Sequence, residues 1–98
     1  MNRADVLDRL RQNQGPLRER GVRHIALFGS VARGDPRPDS DIDIMIDVEP
    51  HMVPDLYSYL GLKTFIAELF IGDVDVIDRA ALKHELQGSV DADALYAF

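Results

Sequence analysis

The segment 41–47 reads Asp-Ile-Asp-Ile-Met-Ile-Asp, and its strict alternation constrains the fold more than any other part of the sequence. Successive side chains of a β-strand point to opposite faces, so the three isoleucines share one face. The aspartates share the other face with Met45. The segment is therefore predicted to be a strand with one apolar face to be covered and one acidic face turned toward water or a cation.

The remaining elements form an α/β (α+β) pattern around this strand. Further strands are predicted over 23–28 and 73–78, and the tail from 90 to 98 is either a helix or a late edge strand. Helices are predicted over 3–14, 17–20, about 55–70 and around 80–86. The order predicts a small sheet of three or more strands with helices packed against one face, in a single domain spanning 1–98.

The predicted helix over 55–70 has a broad apolar face, and Gly72 is expected to end it. That face comprises Leu56, Tyr59, Leu60, Ile66, Leu69 and Phe70. Tyr57, Tyr59 and Tyr96 are interpreted as packing residues.

The charge and the composition exclude several classes of function. A formal charge of −6 argues against direct DNA binding, because lysine and arginine supply most of the affinity for phosphates. The chain has no cysteine, so a metal ion would need oxygen or imidazole ligands. It has no apolar run of about 18 residues, and Asp5 and Asp8 stand where a signal peptide would be basic. We therefore expect no membrane association and a cytoplasmic location.

Asp41 and Asp43 are candidate metal ligands. Two residues apart on a strand, their Cα atoms are about 7 Å apart and their carboxylates point to the same face. Their repulsion is about 3 kcal/mol at about 6 Å and an effective dielectric constant of about 20. Mg²⁺ or Mn²⁺ would relieve it, and Asp75 has the right alternation to add a third carboxylate. An isolated pair of this kind is more often splayed into water, so the pair alone leaves both interpretations open.

Gly29 and Ser30 form a candidate phosphate-binding turn a dozen residues upstream. The turn leaves a predicted strand and enters a short helical turn closed by Gly34. Its backbone amides and the Ser30 hydroxyl can hold phosphate oxygens. Gly-Ser is also an ordinary turn dipeptide. Taken together with the acidic residues, however, it indicates a site for a nucleoside triphosphate and its metal ions.

The composite of 29–34, 40–44 and 74–76 resembles the signature of the polymerase-beta-type nucleotidyltransferase superfamily, and more narrowly that of minimal nucleotidyltransferases. The resemblance implies that Asp41, Asp43 and Asp75 are the catalytic carboxylates and bind two Mg²⁺ ions, with Mn²⁺ as an alternative. It also implies that Gly29 and Ser30 hold the β- and γ-phosphates of ATP, and that Asp75 can take the acceptor's proton. We add Arg33 as a candidate for offsetting the triphosphate charge, whereas Lys63 is better interpreted as a solvated side chain. Asp47 and Asp73 do not match the motif and are interpreted as bystanders.

Proteins of this type commonly act as antitoxins to a helical HEPN ribonuclease toxin. The resemblance implies transfer of AMP from ATP to a hydroxyl of that toxin, most plainly a tyrosine. One alternative is a non-catalytic antitoxin or subunit that neutralises its partner by binding. Another is the catalytic subunit of a small-molecule nucleotidyltransferase. A homo- or hetero-oligomer is compatible with each of these.

Overall fold

The computed structural model describes residues 2–34, 41–82, 88 and 92–98. The strands are β1 (Val22–Phe28), β2 (Ile42–Val48), β3 (Val74–Asp78) and β4 (Leu95–Tyr96). The helices are α1 (Arg3–Gln12), α2 (Gln14–Glu19), α3 (Gly29–Arg33) and α4 (Leu56–Ala67), and a 3-10 turn over Arg79–Ala81 follows β3.

The four strands form one mixed sheet in the order β3-β2-β1-β4. β1 is antiparallel to both β2 and β4, whereas β2 and β3 are parallel and are joined through α4. Parallel neighbours need such a crossover connection, because a tight turn can only reverse the chain. The predicted fold class is confirmed, and Leu95–Tyr96 of the undecided tail is an edge strand.

The hydrophobic core lies between one face of the sheet and helices α1, α2 and α4. Ile44 and Ile46 of β2 are fully buried there, as the alternation in this strand predicts. The helices contribute fully or almost fully buried side chains to the same cluster, namely Val6, Leu10, Leu17, Leu62 and Ile66. The sheet therefore keeps one apolar and one acidic face.

The N-terminal helices differ from the prediction at their junction. α1 ends at Gln12 rather than at residue 14, and α2 begins at Gln14 rather than Leu17. Pro16 does not open the second helix but lies within its first turn. The backbone N–H groups of a first turn have no partner within the helix, so the missing N–H of proline costs no hydrogen bond there. Asn2 caps α1 as predicted, because its side chain accepts from the Asp5 backbone amide at 2.9 Å.

The prediction for α4 was wrong in its end and partly right in its buried face: Ile66 and Phe70 are buried and Tyr59 and Leu69 pack against the core, but two other predicted residues are exposed. The helix stops at Ala67, five residues before Gly72. Leu56 and Leu60 are 70% and 52% exposed, whereas Leu62 and Ile66 are buried. Apolar residues surround this helix on nearly all sides, so periodicity alone does not decide which side meets the sheet.

After β3, Asp78 caps a turn as predicted, and its carboxylate accepts from the Ala80 backbone amide at 3.0 Å. The structure has a 3-10 turn at Arg79–Ala81 where the predicted helix over 80–86 would begin. Residues 83–86 of that helix lie outside the described residues. Within the described part of the chain, no helix has both the length and the apolar character needed to cross a membrane.

Replacing Leu62 and Leu56 separately by alanine tests which side of α4 stabilises the fold. We expect Leu62→Ala to lower the free energy of unfolding by about 2–5 kcal/mol, because it leaves a cavity against the sheet. Leu56→Ala is the matched control on the same helix and should change it by less than about 0.5 kcal/mol. Denaturant unfolding measures both values. Equal losses would contradict this orientation of the helix.

Candidate active site

Three aspartates lie near one another where β2 and β3 begin and β1 ends, with their carboxylates still apart. Asp43 is paired with Asp75 across the parallel strands and with Phe28 across the antiparallel ones. Side chains at paired positions share a face of the sheet, and adjacent strands are about 4.8 Å apart. The Ile42 amide donates to the Asp73 carbonyl at 3.0 Å and holds this register. Asp41, one residue before β2, precedes Asp43 by two positions and lies on the same side.

The carboxylate of Asp43 is electrostatically frustrated in this position. Burial raises its pKa, and the neighbouring charges of Asp75 and Asp41 raise it further, while Arg33 acts in the opposite direction. Asp43 therefore lies within the field of two other carboxylates and of the Arg33 guanidinium. A divalent cation would relieve the repulsion among the carboxylates.

The donor set suits Mg²⁺ or Mn²⁺, because every side chain in it supplies hard carboxylate oxygens. Asp43 is half-buried, whereas Asp41 and Asp75 are exposed and can rotate. Among the residues that the structure describes, no three acidic or imidazole side chains are already close enough together to hold an ion. A shared ion would thus require Asp41 and Asp75 to turn toward Asp43.

The Gly29-Ser30 turn lies directly against this acidic cluster. Gly29 has a φ of +75°, which L side chains rarely adopt, and a Cβ built on it would collide with the Asp43 carboxylate. Glycine is required here for both reasons. Ser30 follows in the first turn of α3, which ends at the left-handed Gly34 with a φ of +83°. The predicted phosphate turn and the predicted acidic residues are therefore neighbours.

Arg33 lies at the last position of α3, between the acidic cluster and the C-terminal segment. Its guanidinium Nη1 is 3.6 Å from Oδ2 of Asp93, and both side chains are about half exposed. Its charge also lowers the pKa of Asp43. Sequence reasoning missed Asp93, because the tail had no assigned structure and no motif marked this residue. Phosphate binding by Arg33 stays a prediction.

The residues interpreted as bystanders lie apart from the cluster or contact it only through the backbone. Asp47 forms an ion pair with Arg23 at 2.8 Å, near the other end of β2. Asp73 contributes its carbonyl to the strand register.

Lys63 is on α4, with its ammonium 5.2 Å from the centre of the Tyr59 ring, on the side of the sheet opposite the aspartates. Of the tyrosines, Tyr59 packs as predicted, but Tyr57 is 88% exposed and Tyr96 is 47% exposed.

Comparisons with known proteins agree on one family. The family model for "Polymerase beta, Nucleotidyltransferase" matches residues 12–95. The protein adenylyltransferase MntA of Thermococcus cleftensis is 37% identical over 81 residues, which are 82% of this chain and 80% of the relative. A solved structure provisionally identified as a minimal nucleotidyltransferase has a TM-score of 0.70 at 30% identity, covering 97% of this chain and 95% of its own. A toxin-antitoxin complex solved with AMP-PNP shares the fold, with a TM-score of 0.69 at 24% identity, covering 100% of this chain and 73% of its own.

Neutralising Asp43 should stabilise the fold in the absence of divalent cations. The raised pKa means that the native state holds the Asp43 proton more tightly than the unfolded state does. The penalty is therefore absent below the unfolded pKa of about 3.8 and grows as pH rises through the native pKa. We expect Asp43→Asn to raise the melting temperature at pH 7 in EDTA and to have little effect near pH 3.

Asp47→Asn is the matched control on the same strand and face, because it removes an attractive ion pair instead. It should leave the melting temperature unchanged or lower it slightly, since an exposed pair contributes about 0–1 kcal/mol. Melting curves over pH 3–8 compare the two variants. A lower melting temperature for Asp43→Asn at pH 7 would contradict the electrostatic frustration.

Replacing Gly29 by alanine should destabilise the fold by at least about 1–2 kcal/mol, the cost of a left-handed residue with a Cβ. The collision with Asp43 adds to this cost. Gly61→Ala is the control, because Gly61 lies within α4 and its Cβ would meet no atom within 4 Å. That change should stabilise the protein by about 0.5–1 kcal/mol. Urea unfolding of both variants measures the contrast, and similar effects at the two glycines would contradict this geometry.

Proposed function

Because the chain belongs to the polymerase beta nucleotidyltransferase family and is thus a nucleotidyltransferase, we propose that it transfers AMP from ATP to a protein hydroxyl. The acceptor that we propose is a tyrosine of a HEPN ribonuclease toxin, so that the chain acts as its antitoxin. The name of the Thermococcus relative, protein adenylyltransferase, supports the reaction. The observation that carries the proposal is the contact of the Gly29 turn with Asp43, beside Asp75.

The site residues have separate roles in this reaction. The backbone at Gly29 and the Ser30 hydroxyl bind the β- and γ-phosphates, next to the acidic residues. The acceptor oxygen attacks the α-phosphorus, the bond from this phosphorus to the bridging oxygen of the β-phosphate breaks, and pyrophosphate leaves. The exposed carboxylate of Asp75 takes the proton of the attacking hydroxyl.

Asp41, Asp43 and Asp75 would also hold two Mg²⁺ ions, with Mn²⁺ as a substitute. When bound, such ions neutralise charge on the triphosphate and on the attacking oxygen. The frustration of Asp43 supports this part of the proposal, because Asp75 and Asp41 both raise its pKa and, within the described part of the chain, Arg33 opposes them. The phosphates of ATP would add further negative charge at the same place.

A protein acceptor suits the open position of the site. Asp41 and Asp75 are both exposed, at the edge of the molecule where β2 and β3 begin. An acceptor loop can therefore approach the aspartates without entering a deep pocket. An acidic chain of net charge −6 also complements a basic, RNA-cutting partner, which affects the association rate and specificity more than the affinity. The solved toxin-antitoxin complex of the same fold supports a toxin as that partner.

The test incubates the chain with the proposed HEPN toxin, ATP and Mg²⁺, followed by intact-mass analysis of the toxin. We expect the toxin to gain AMP, and tandem mass spectrometry should locate it on a tyrosine. Asp41→Asn/Asp43→Asn should abolish the gain. Ser30→Ala should lower kcat/KM for ATP by about 10- to 100-fold, because it removes one hydrogen bond to a charged phosphate.

Asp47→Asn is the control for this experiment and should transfer AMP like the unmodified chain, because its carboxylate pairs with Arg23 away from the site. Tight toxin binding with no gain of mass would favour an antitoxin that acts by occlusion. Labelling of an added small-molecule alcohol, with the toxin unlabelled, would favour a small-molecule nucleotidyltransferase. Either result would reject protein adenylylation.

A further inference from the structure

Helix α4 is unusually apolar for a helix with an exposed outer face. Of its twelve residues only Lys63 is charged, whereas five of the ten residues of α1 are charged. Leu56, Tyr57 and Leu60 on the outer face are 70%, 88% and 52% exposed. Contiguous exposed apolar side chains of this kind mark interaction surfaces in soluble proteins.

A groove runs beside this face. It lies between α4, the chain just before β1 and the chain just after β2. Its volume is about 290 Å³, and its described lining comprises Arg20, Met52, Tyr57, Ser58, Gly61 and Leu62. We call this the α4 groove. Tyrosine, methionine and arginine are enriched at the centres of protein interfaces, where aromatic and arginine side chains contribute most of the binding energy.

Gly61 keeps the α4 groove open. It lies in the interior of α4, where glycine destabilises a helix relative to alanine, and its Cβ would meet no atom within 4 Å. The fold thus gives no packing reason for glycine at this position. Because Gly61 lines the groove, a side chain there would take up part of it, so the glycine leaves room for a side chain from another molecule.

The charge at the groove indicates which molecule fits. Arg20 lies on the groove wall, with its guanidinium 4.4 Å from the centre of the Phe65 ring, and none of the six described lining residues is acidic. A symmetric contact with a second copy would bring two Arg20 side chains together without an acidic lining residue between them, which is unfavourable. A different protein that inserts an apolar side chain and offers a carboxylate to Arg20 satisfies both features.

We propose that the α4 groove is the docking surface for the toxin named above, which inserts one apolar side chain over Gly61 and pairs a carboxylate with Arg20. This inference rests on the proposed function for the identity of the partner. The groove adjoins the end of β2, about 17 Å along the strand from Asp43, and α4 covers the face of the sheet opposite the aspartates. Docking is therefore independent of nucleotide and leaves the acidic edge open.

The experiment measures the affinity of the purified toxin proposed above for the chain by biolayer interferometry, without nucleotide. Gly61→Leu fills the groove and should raise Kd at least tenfold, while its melting temperature stays equal to or above that of the unmodified chain. Tyr57→Ala removes one wall and should also raise Kd. Gln12→Leu adds an exposed leucine to α1 instead and should leave Kd unchanged within twofold. All three variants should bind Mg-ATP normally.

An unchanged Kd for Gly61→Leu, or no binding of toxin to the unmodified chain, would overturn the docking surface. Sedimentation that shows a dimer of the unmodified chain and a monomer of Gly61→Leu would assign the groove to a second copy and overturn it as well. Toxin binding that is lost in Gly61→Leu, with no AMP transferred by the unmodified chain, would reject the proposed reaction and retain the surface. If Gly61→Leu transfers AMP at an unchanged rate and binds the toxin with an unchanged Kd, the proposed reaction would be retained and the docking surface rejected.

Discussion

The register between β2 and β3 is the constraint on which the candidate site depends. It pairs Asp43 with Asp75 and so holds two like charges on adjacent strands, with Asp41 nearby. Such an arrangement opposes folding, and it persists because the same strands bury Ile44, Ile46 and Val76 on their other face. Since side chains alternate along a strand, a slip of one residue would bury the aspartates and expose the isoleucines. The energy of the core therefore fixes the geometry of the acidic face.

Much of this arrangement could be predicted from short-range patterns. The alternation over 41–47 predicts the central strand and its two faces, and the spacing of Asp41, Asp43 and Asp75 predicts that they share one face. Positive φ at Gly29 and Gly34 agrees with the predicted turn. These features are local: each depends on neighbours in the chain or on the intrinsic geometry of a strand.

Features that depend on distant parts of the chain could not be predicted in the same way. The buried side of α4 was predicted only in part, because nearly every side of the helix carries apolar residues, and only its position on the sheet selects Leu62 over Leu60. The ion pair of Arg33 with Asp93 joins residues sixty positions apart, and neither residue signals the other in the sequence. The α4 groove could not be predicted either, because Arg20 on its wall lies outside α4, which supplies most of the other lining residues.

The short edge strand β4 has a consequence for handling the protein. Its two residues pair with Ala26 and Leu27 of β1, and the Arg11 side chain donates to the Ala97 carbonyl at 3.0 Å. β4 thereby covers the hydrogen-bonding edge of the strand that leads into Gly29. Unpaired edges recruit strands from other molecules and promote aggregation. Deleting residues 95–98 would expose this edge, so forms of the chain that lack them should associate more readily in solution.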